Sequence, residues 1–380
     1  MQKPVDMDNP FILEPYKSKD LFCDREEETA RLLDCMTNGR NVTLISPRRL
    51  GKTGLIYRAF EEIKDRDLPY ETFYMDISSS QSIDDFVKLL AEAVAGVLNR
   101  QNRIKDFFKA LTGIRPLMGY DPVNDSPTLS FTFQTTTQKE QTIKSIFSYL
   151  DSYKRPVVLA IDEFQQVREY PDVYMEALLR TYIQPLRNVR FIFCGSKKHI
   201  MADMFTNALK PFYESTTNIP VAKLDTGVYS AFIETHFRGA GKTIPRECIE
   251  EIITWTRDHT FYTQSLCNEV FHLSGSVVTD EDLRRAKEII LTSNRDRFLE
   301  IQRLITPSQW KLLKAIAKDE VVLHPTSSDF ILRHRLSSGP AVLKNLRTLV
   351  DKELVLTDIS EEGVSYSIYN VFLSRYLELL

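Results

Sequence analysis

The chain has 380 residues, 43% hydrophobic and 27% charged, which is ample apolar material for two or three domains with cores of their own. A net charge of −3 supplies no global attraction to nucleic acid, no apolar run approaches the roughly 18 residues that span a bilayer, and the first residues lack an apolar signal region. The five cysteines, Cys23, Cys35, Cys194, Cys248 and Cys267, are odd in number and contain no CxxC pair, so neither a disulfide framework nor a zinc site is indicated; no membrane role and a cytoplasmic setting are expected.

Taken from the start, residues 1–20 read as an extended lead-in, 25–37 as a helix and 41–46 as a first strand. A helix over 52–65 follows, then an alternating strand over 70–77. Ser82-Ile-Asp-Asp carries a helix-capping signature, and that helix is predicted to run to about Lys109. Residues 112–134 are turn-rich with a short β pattern, a loop or hairpin insertion to which no function is assigned. A helix over 137–152, a strand over 157–161, a helix over 172–185 and a strand over 189–193 come next. Residues 198–213 are helical or loop, and 219–224 is a last strand. Strands alternating with helices predict an α/β fold with a parallel sheet.

The stretch 42–55 carries the most chemistry. A hydrophobic strand runs into Ser-Pro-Arg-Arg-Leu-Gly-Lys-Thr (46–53) and then a helix, nearly the phosphate-binding loop G-x-x-x-x-G-K-[ST]. Backbone N–H groups of Ser46, Pro47's successors Arg48, Arg49 and Leu50, and Gly51 to Gly54 at the helix start would face an anion. Lys52 would reach the β- and γ-phosphates, and the Thr53 hydroxyl would hold Mg²⁺. Ser46 stands where the motif has its first glycine; if that position needs φ > 0, the loop is strained or differently shaped there.

Residues 156–164 read Pro-Val-Val-Leu-Ala-Ile-Asp-Glu-Phe, a buried strand that ends in two acids. Open α/β sheets place ligands at that carboxyl end. Asp162 can hold Mg²⁺ in the manner of a Walker-B aspartate, and Glu163 is placed to act as general base on the attacking water.

From about Thr226 the period becomes helical, with helices over 226–239, 245–257, 261–274 and 280–293. A capped helix then starts at Thr306-Pro-Ser-Gln-Trp310, a second spans 326–334 and a third starts at Ser337. Two β segments flank a Glu361-Glu362-Gly363 turn. Helix, helix, helix, hairpin is a winged helix-turn-helix. The boundaries expected are an ATPase core over 1–225, a helical lid over 226–303 and the winged helix over 304–380.

Three strings together, 46–53, Ile-Asp-Glu-Phe-Gln (161–165) and Phe-Cys-Asp-Arg-Glu-Glu-Glu (22–28), resemble the archaeal-type ATPase family, of the STAND branch of AAA+-like P-loop NTPases. The resemblance spans about 10–380 and implies a P-loop NTPase core with a parallel sheet, a helical lid and a C-terminal winged helix, with ATP and Mg²⁺ as cofactors. It implies that Arg25 and Glu26 lie near the adenine; helix-start chemistry with Asp24 as cap is the alternative. It implies that Ser196, in Cys194-Gly195-Ser196, is a polar sensor beside the γ-phosphate; a strand-ending turn is the alternative. Lys210-Pro-Phe-Tyr resembles a family segment whose role the sequence does not reveal. Thr260 and Asp258 stand where the family has Pro and Gly near the base, and no arginine finger can be placed; Arg187 and Arg190 precede the sensor strand.

The implied function is an ATP-binding, slowly hydrolysing switch whose nucleotide lies between core and lid. A DNA-associated ATPase similar to origin-recognition initiators, or a binder without turnover, is the alternative. Residues 306–380 carry nine basic and nine acidic side chains, including Lys344, Arg347 and Lys352 on or after the third helix. DNA affinity rests largely on cationic neutralisation. The neutral balance therefore favours a protein partner over DNA for the winged helix.

Overall fold

A computed structural model describes residues 9–380 except 15, 102, 112–116, 122–125, 131–134, 172–173 and 362. Two compact units emerge: Glu14–Lys223, and Leu224–Leu380 together with residues 9–13.

The first unit opens with α1 (Glu26–Thr37), β1 (Val42–Ile45), α2 (Lys52–Asp65), β2 (Glu71–Asp76), α3 (Ile83–Arg100) and α4 (Ile104–Ala110). The antiparallel pair β3 (Leu117–Asp121) and β4 (Ser126–Ser130) follows, which accounts for the β pattern read in 112–134. Then come α5 (Thr136–Asp151), β5 (Val157–Asp162), α6 (Met175–Ile183), β6 (Val189–Gly195), α7 (Lys198–Thr206) and β7 (Thr217–Pro220). The five strands of the main sheet are parallel, in the order β2-β5-β6-β1-β7.

Both faces of this sheet are covered, which is why β5 reads as an unbroken apolar run and is buried throughout. Val158 and Ala160 join Leu44, Ile192 and the α2 residues Leu55 and Ile56 on one face. Val157, Leu159 and Ile161 join Phe73, Phe86 and Phe147 on the other. The register sets Ile45 beside Gly195, Ile161 beside Phe193 and Asp76 beside Asp162, so the carboxyl ends of β1, β6, β5 and β2 lie along one edge.

Ser82 caps α3 as its signature predicts, accepting the Asp85 N–H. The predicted continuation to Lys109 is wrong. The N–H groups of Gln101 and Arg103 both turn back to the Leu98 carbonyl, closing the helix. Phe107 on α4 is then buried against Tyr149, ring centroids 5.2 Å apart, while the Arg103 guanidinium lies 4.5 Å over the Tyr153 ring. These long-range contacts outweigh the local helical period. The last strand is likewise displaced from 219–224 to Thr217–Pro220, because Pro220 has no N–H with which to continue the ladder.

The second unit holds α8 (Thr226–Gly239), α9 (Arg246–Thr256), α10 (Thr260–Leu273), α11 (Asp280–Ser293) and α12 (Arg295–Arg303). The winged helix follows as α13 (Pro307–Asp319), α14 (Ser328–Arg333), α15 (Gly339–Asp351) and the hairpin β8 (Val355–Ser360) and β9 (Gly363–Ile368). Thr306 and Gln309 form the capping box of α13, with Pro307 in its first turn. Glu361 opens the wing turn in solvent, and Glu362 lies outside the described residues.

Two elements escaped the sequence reading: α12 and a final helix, α16 (Val371–Glu378). The latter stitches the winged helix to the preceding bundle. Phe372 packs against Trp255 and Tyr262 at 5.6 and 4.7 Å between ring centroids. Arg375 donates from Nε to the Trp255 carbonyl at 2.9 Å, and Arg257 donates to Ser374 at 2.9 Å. Among the described residues, no helix is long and apolar enough to cross a membrane.

The lead-in is more than an extended approach to the core. Phe11 is fully buried in the second unit, 5.1 Å from the Phe237 ring and 6.0 Å from Phe271. Asn268 donates to the Phe11 carbonyl and receives its return bond from Asn9. Phe11→Ala is expected to remove about 3–5 kcal/mol from this unit. Hydrogen exchange should then quicken in α8 and α10 while β1 and α2 keep their protection; unchanged exchange in α8 and α10 would show that the segment does not anchor them.

Candidate active site

The loop between β1 and α2 winds around Lys52. This side chain is only 5% exposed, and its ammonium donates to the carbonyls of Ser46 at 2.8 Å and Pro47 at 2.9 Å. The strain anticipated at Ser46 is absent: Ser46 is buried with an ordinary negative φ. The left-handed positions are Arg49, at φ 66°, and Gly51, at φ 95°. Glycine meets that demand cheaply at the helix start, and arginine does so at the exposed tip. Arg48 and Arg49 are exposed, whereas Leu50 and Gly54 are buried.

Asp162 ends β5 and is 4% exposed, so its charge depends on partners. Thr53 Oγ1 donates to Oδ2 at 2.6 Å and the Tyr74 hydroxyl donates to the same oxygen at 2.9 Å; the Glu163 N–H serves Oδ1 at 2.9 Å. Burial and the neighbouring Asp162 charge push the Tyr74 hydroxyl far above the ordinary tyrosine range, which keeps it a donor. Glu163 leaves the strand in a left-handed conformation, φ 55°. Its Oε2 accepts from Ser196 Oγ at 2.7 Å and from the Gln165 side-chain amide. Ser196 in turn accepts from Arg48 Nε at 3.3 Å. Because β6 lies between β1 and β5, Ser196 falls between the loop and the two acids.

Arg25 is buried and anchored on the loop side. Its guanidinium pairs with Glu28 at 2.6 Å and donates to the carbonyls of Leu50 and Ala222. Asp24 does not cap α1, contrary to the alternative reading; both Asp24 and Arg25 are left-handed, at φ 60° and 74°, and Arg25 itself holds the N-cap position. Arg25 therefore ties the start of α1 to the loop and to the chain after β7. Glu26 is exposed. Thr260 belongs to the second unit, where it opens α10 and its carbonyl accepts from Tyr229.

The Lys210-Pro-Phe-Tyr segment acquires a structural role. Phe212 packs against Phe164 of the 161–165 string and against Phe193, at 5.4 and 5.3 Å, and Lys210 pairs with Asp203 at 3.6 Å. It backs the acidic turn from beneath. Arg187 and Arg190 lie at the amino end of β6, opposite the acids.

Motif reasoning missed Tyr74, and it left Gln165 and Gly195, both inside the quoted strings, without a role. Period-two alternation along β2 put Tyr74 on a face, but only the pairing with β5 reveals its reach to Asp162. A divalent ion would be held by the Thr53 hydroxyl and the Asp162 carboxylate, an oxygen donor pair suited to Mg²⁺. Among the described residues, no cluster of three His, Cys, Asp or Glu side chains could hold a metal unaided, so such an ion would complete its shell with water and phosphate, as Mg²⁺ does.

A parallel sheet in this order, with such a loop after the internal strand β1 and acids on the strand beyond its neighbour, is the architecture of P-loop ATPases, and the chain is one of them. The family model described as an ATPase domain predominantly from Archaea matches residues 22–258, and one described as "Probable winged helix domain" matches 296–379. The protein belongs to this archaeal-type ATPase family. Its fold is similar to that of the Walker-type ATPase PABY2304 of Pyrococcus abyssi, with a TM-score of 0.66 at 18% identity, covering 97% of this chain and 99% of that one. It also resembles the Aeropyrum pernix ORC2 protein, at a TM-score of 0.60 and 12% identity, covering 98% and 96%. The A. pernix ORC1 protein, solved in complex with DNA, gives a TM-score of 0.54 at 14% identity, covering 98% and 96%. No curated protein sequence matches the chain.

Tyr74→Phe removes one donor to Asp162 and little volume. It is expected to weaken Mg²⁺-dependent nucleotide binding about tenfold, the usual effect of losing a group that orients a metal ligand. Binding with the metal chelated should stay the same; an equal loss in both conditions would make Tyr74 a packing residue only.

Proposed function

We propose that the protein is a slow, Mg²⁺-dependent ATPase that works as a molecular switch of the STAND class. The observation that carries this reading is the convergence of Lys52, Thr53 with Asp162, and Glu163 with Ser196 at one sheet edge. Lys52 and the N–H groups of 46–54 bind the phosphates, and Arg25 supports the loop from the side where the base would lie. Thr53 and Asp162 hold Mg²⁺, which neutralises phosphate charge. Glu163 takes a proton from the attacking water, and Ser196 faces the transferring phosphate. Slow turnover follows from the arginines. An arginine at the transferring phosphate is worth roughly 10³–10⁵ in rate. Arg187 and Arg190 are at the wrong end of β6, and Arg48 is engaged with Ser196.

The winged helix supplies the output. Its balanced charge favours a protein partner or an internal clamp over duplex DNA. One observation supports the DNA reading: Lys344 and Arg347 are exposed on α15, the helix that such folds place in the major groove. Likeness to the ORC1 protein bears on the fold alone.

Turnover is expected at about one ATP per minute or slower, below ordinary enzyme rates. Lys52→Ala should abolish ATP binding, whereas Glu163→Gln should bind ATP and not hydrolyse it; hydrolysis at the parental rate by Glu163→Gln would remove Glu163 from the role of base. ATP should also slow hydrogen exchange at 256–265 as well as at 46–53, and protection confined to the loop would leave a simple binder in place of a switch.

Binding to duplex DNA at physiological salt should be weaker than about 10⁻⁵ M, within or below the non-specific range. Tight, salt-dependent binding whose slope falls by about two units in the Lys344→Ala, Arg347→Ala double variant would overturn the preference for a protein partner.

A further inference from the structure

A general base must offer one defined oxygen to the water it deprotonates. Glu163 alone does not meet that need, because a carboxylate at the tip of a left-handed turn can rotate. The structure fixes it from one side. Both donors, Ser196 Oγ and the Gln165 amide, converge on Oε2 and leave Oε1 without either of them.

Gln165 is a strange choice for packing. It lies in the short 3-10 helix Phe164–Glu169 and is 2% exposed, a degree of burial at which an amide must find partners. Its Oε1 is buried and has no hydrogen-bond partner among the described residues. A buried orphan acceptor is destabilising, so packing alone does not account for an amide here. Turning the amide over would set its oxygen against the Glu163 carboxylate, so the donor has a single workable direction. Gly195 makes the room: a Cβ there would stand 2.4 Å from Gln165 Oε1 and 2.5 Å from Met201 Sδ.

We propose that Gln165 is a positioning residue for hydrolysis, holding Oε2 of Glu163 so that Oε1 is the atom presented to the attacking water. This rests on Glu163 being the base. In the step concerned, the water's proton passes to Oε1 as its oxygen bonds to the γ-phosphorus. The bond from that phosphorus to the β–γ bridging oxygen breaks, leaving ADP and phosphate. Gln165 touches neither water nor nucleotide; it acts through Glu163.

The test uses the full-length protein with Gln165→Leu, in the parental and in the Glu163→Gln background. Single-turnover hydrolysis and affinity for a fluorescent ATP analogue are measured in each. In the parental background the hydrolysis rate should fall about tenfold, with KM and nucleotide affinity within about twofold of the parent. The thermal midpoint should not fall, since an orphan acceptor has been removed. In the Glu163→Gln background, which binds ATP without hydrolysing it, Gln165→Leu should leave the affinity for the analogue within about twofold, because the amide touches no nucleotide. Parental rates in Gln165→Leu, or a nucleotide affinity that falls about tenfold in either background, would overturn the proposal. Gln165→Met, which keeps length without a donor, serves as the second variant if leucine disturbs the fold. Should Glu163→Gln hydrolyse as fast as the parent, the base assignment itself fails. A dead Glu163→Gln beside a fully active Gln165→Leu sinks the positioning role alone.

Discussion

One register governs the carboxyl edge of the main sheet. With Ile45 beside Gly195 and Ile161 beside Phe193, strands β1, β6 and β5 release their chains side by side. The β1–α2 loop, Ser196 and the acid pair therefore emerge within hydrogen-bond reach of one another. A slip of one residue would turn every side chain of a strand to the opposite face. Two apolar clusters, one on each face of the sheet, make such a slip prohibitive, since Val158 and Ala160 would exchange cores with Leu159 and Ile161. The charge chemistry is thus held in place by hydrocarbon. Asp162 sits at the end of the most buried strand, where a bare carboxylate would be intolerable, and the three donors around it both solvate and aim it.

The donors also form a line with a single sense. Arg48 gives to Ser196, Ser196 gives to Glu163, and Gln165 gives to the same oxygen from the far side. A hydroxyl that accepts on one side and donates on the other links the loop to the acid. Arg25 does comparable service at the other end of the loop, with its fork on backbone carbonyls at Leu50 and Ala222. The loop is therefore braced by arginine on both sides of its tip, once through side chains and once through the backbone.

Much of this was legible in the chain itself because its signals are local. The strand that runs into Gly51-Lys52-Thr53, the apolar run that stops at Asp162 and Glu163, and the capped start at Thr306 each declare themselves within a dozen residues. What escaped depends on contacts between distant segments. Tyr74 reaches Asp162 only because β2 pairs with β5, and Gln165 meets Glu163 only after the turn goes left-handed. The end of α3 at Arg100 was hidden by the same cause, since Phe107 and Arg103 find their partners on α5 and just beyond it. The serine in the loop misled in the opposite direction. Its glycine-like position suggested strain, but the chain takes its left-handed step three residues later, at Arg49.

The final helix of the winged domain alters what that domain can do mechanically. Because Phe372, Ser374 and Arg375 on α16 are joined to Trp255, Tyr262 and Arg257 by tilted and edge-on ring contacts and by hydrogen bonds, the wing has no free joint against the bundle that bears it. A molecule gripping α15 or the hairpin takes hold of α9 and α10 in the same act, so work done at the wing arrives at the bundle with little slack. The C-terminal module is in that sense a handle welded to its shaft.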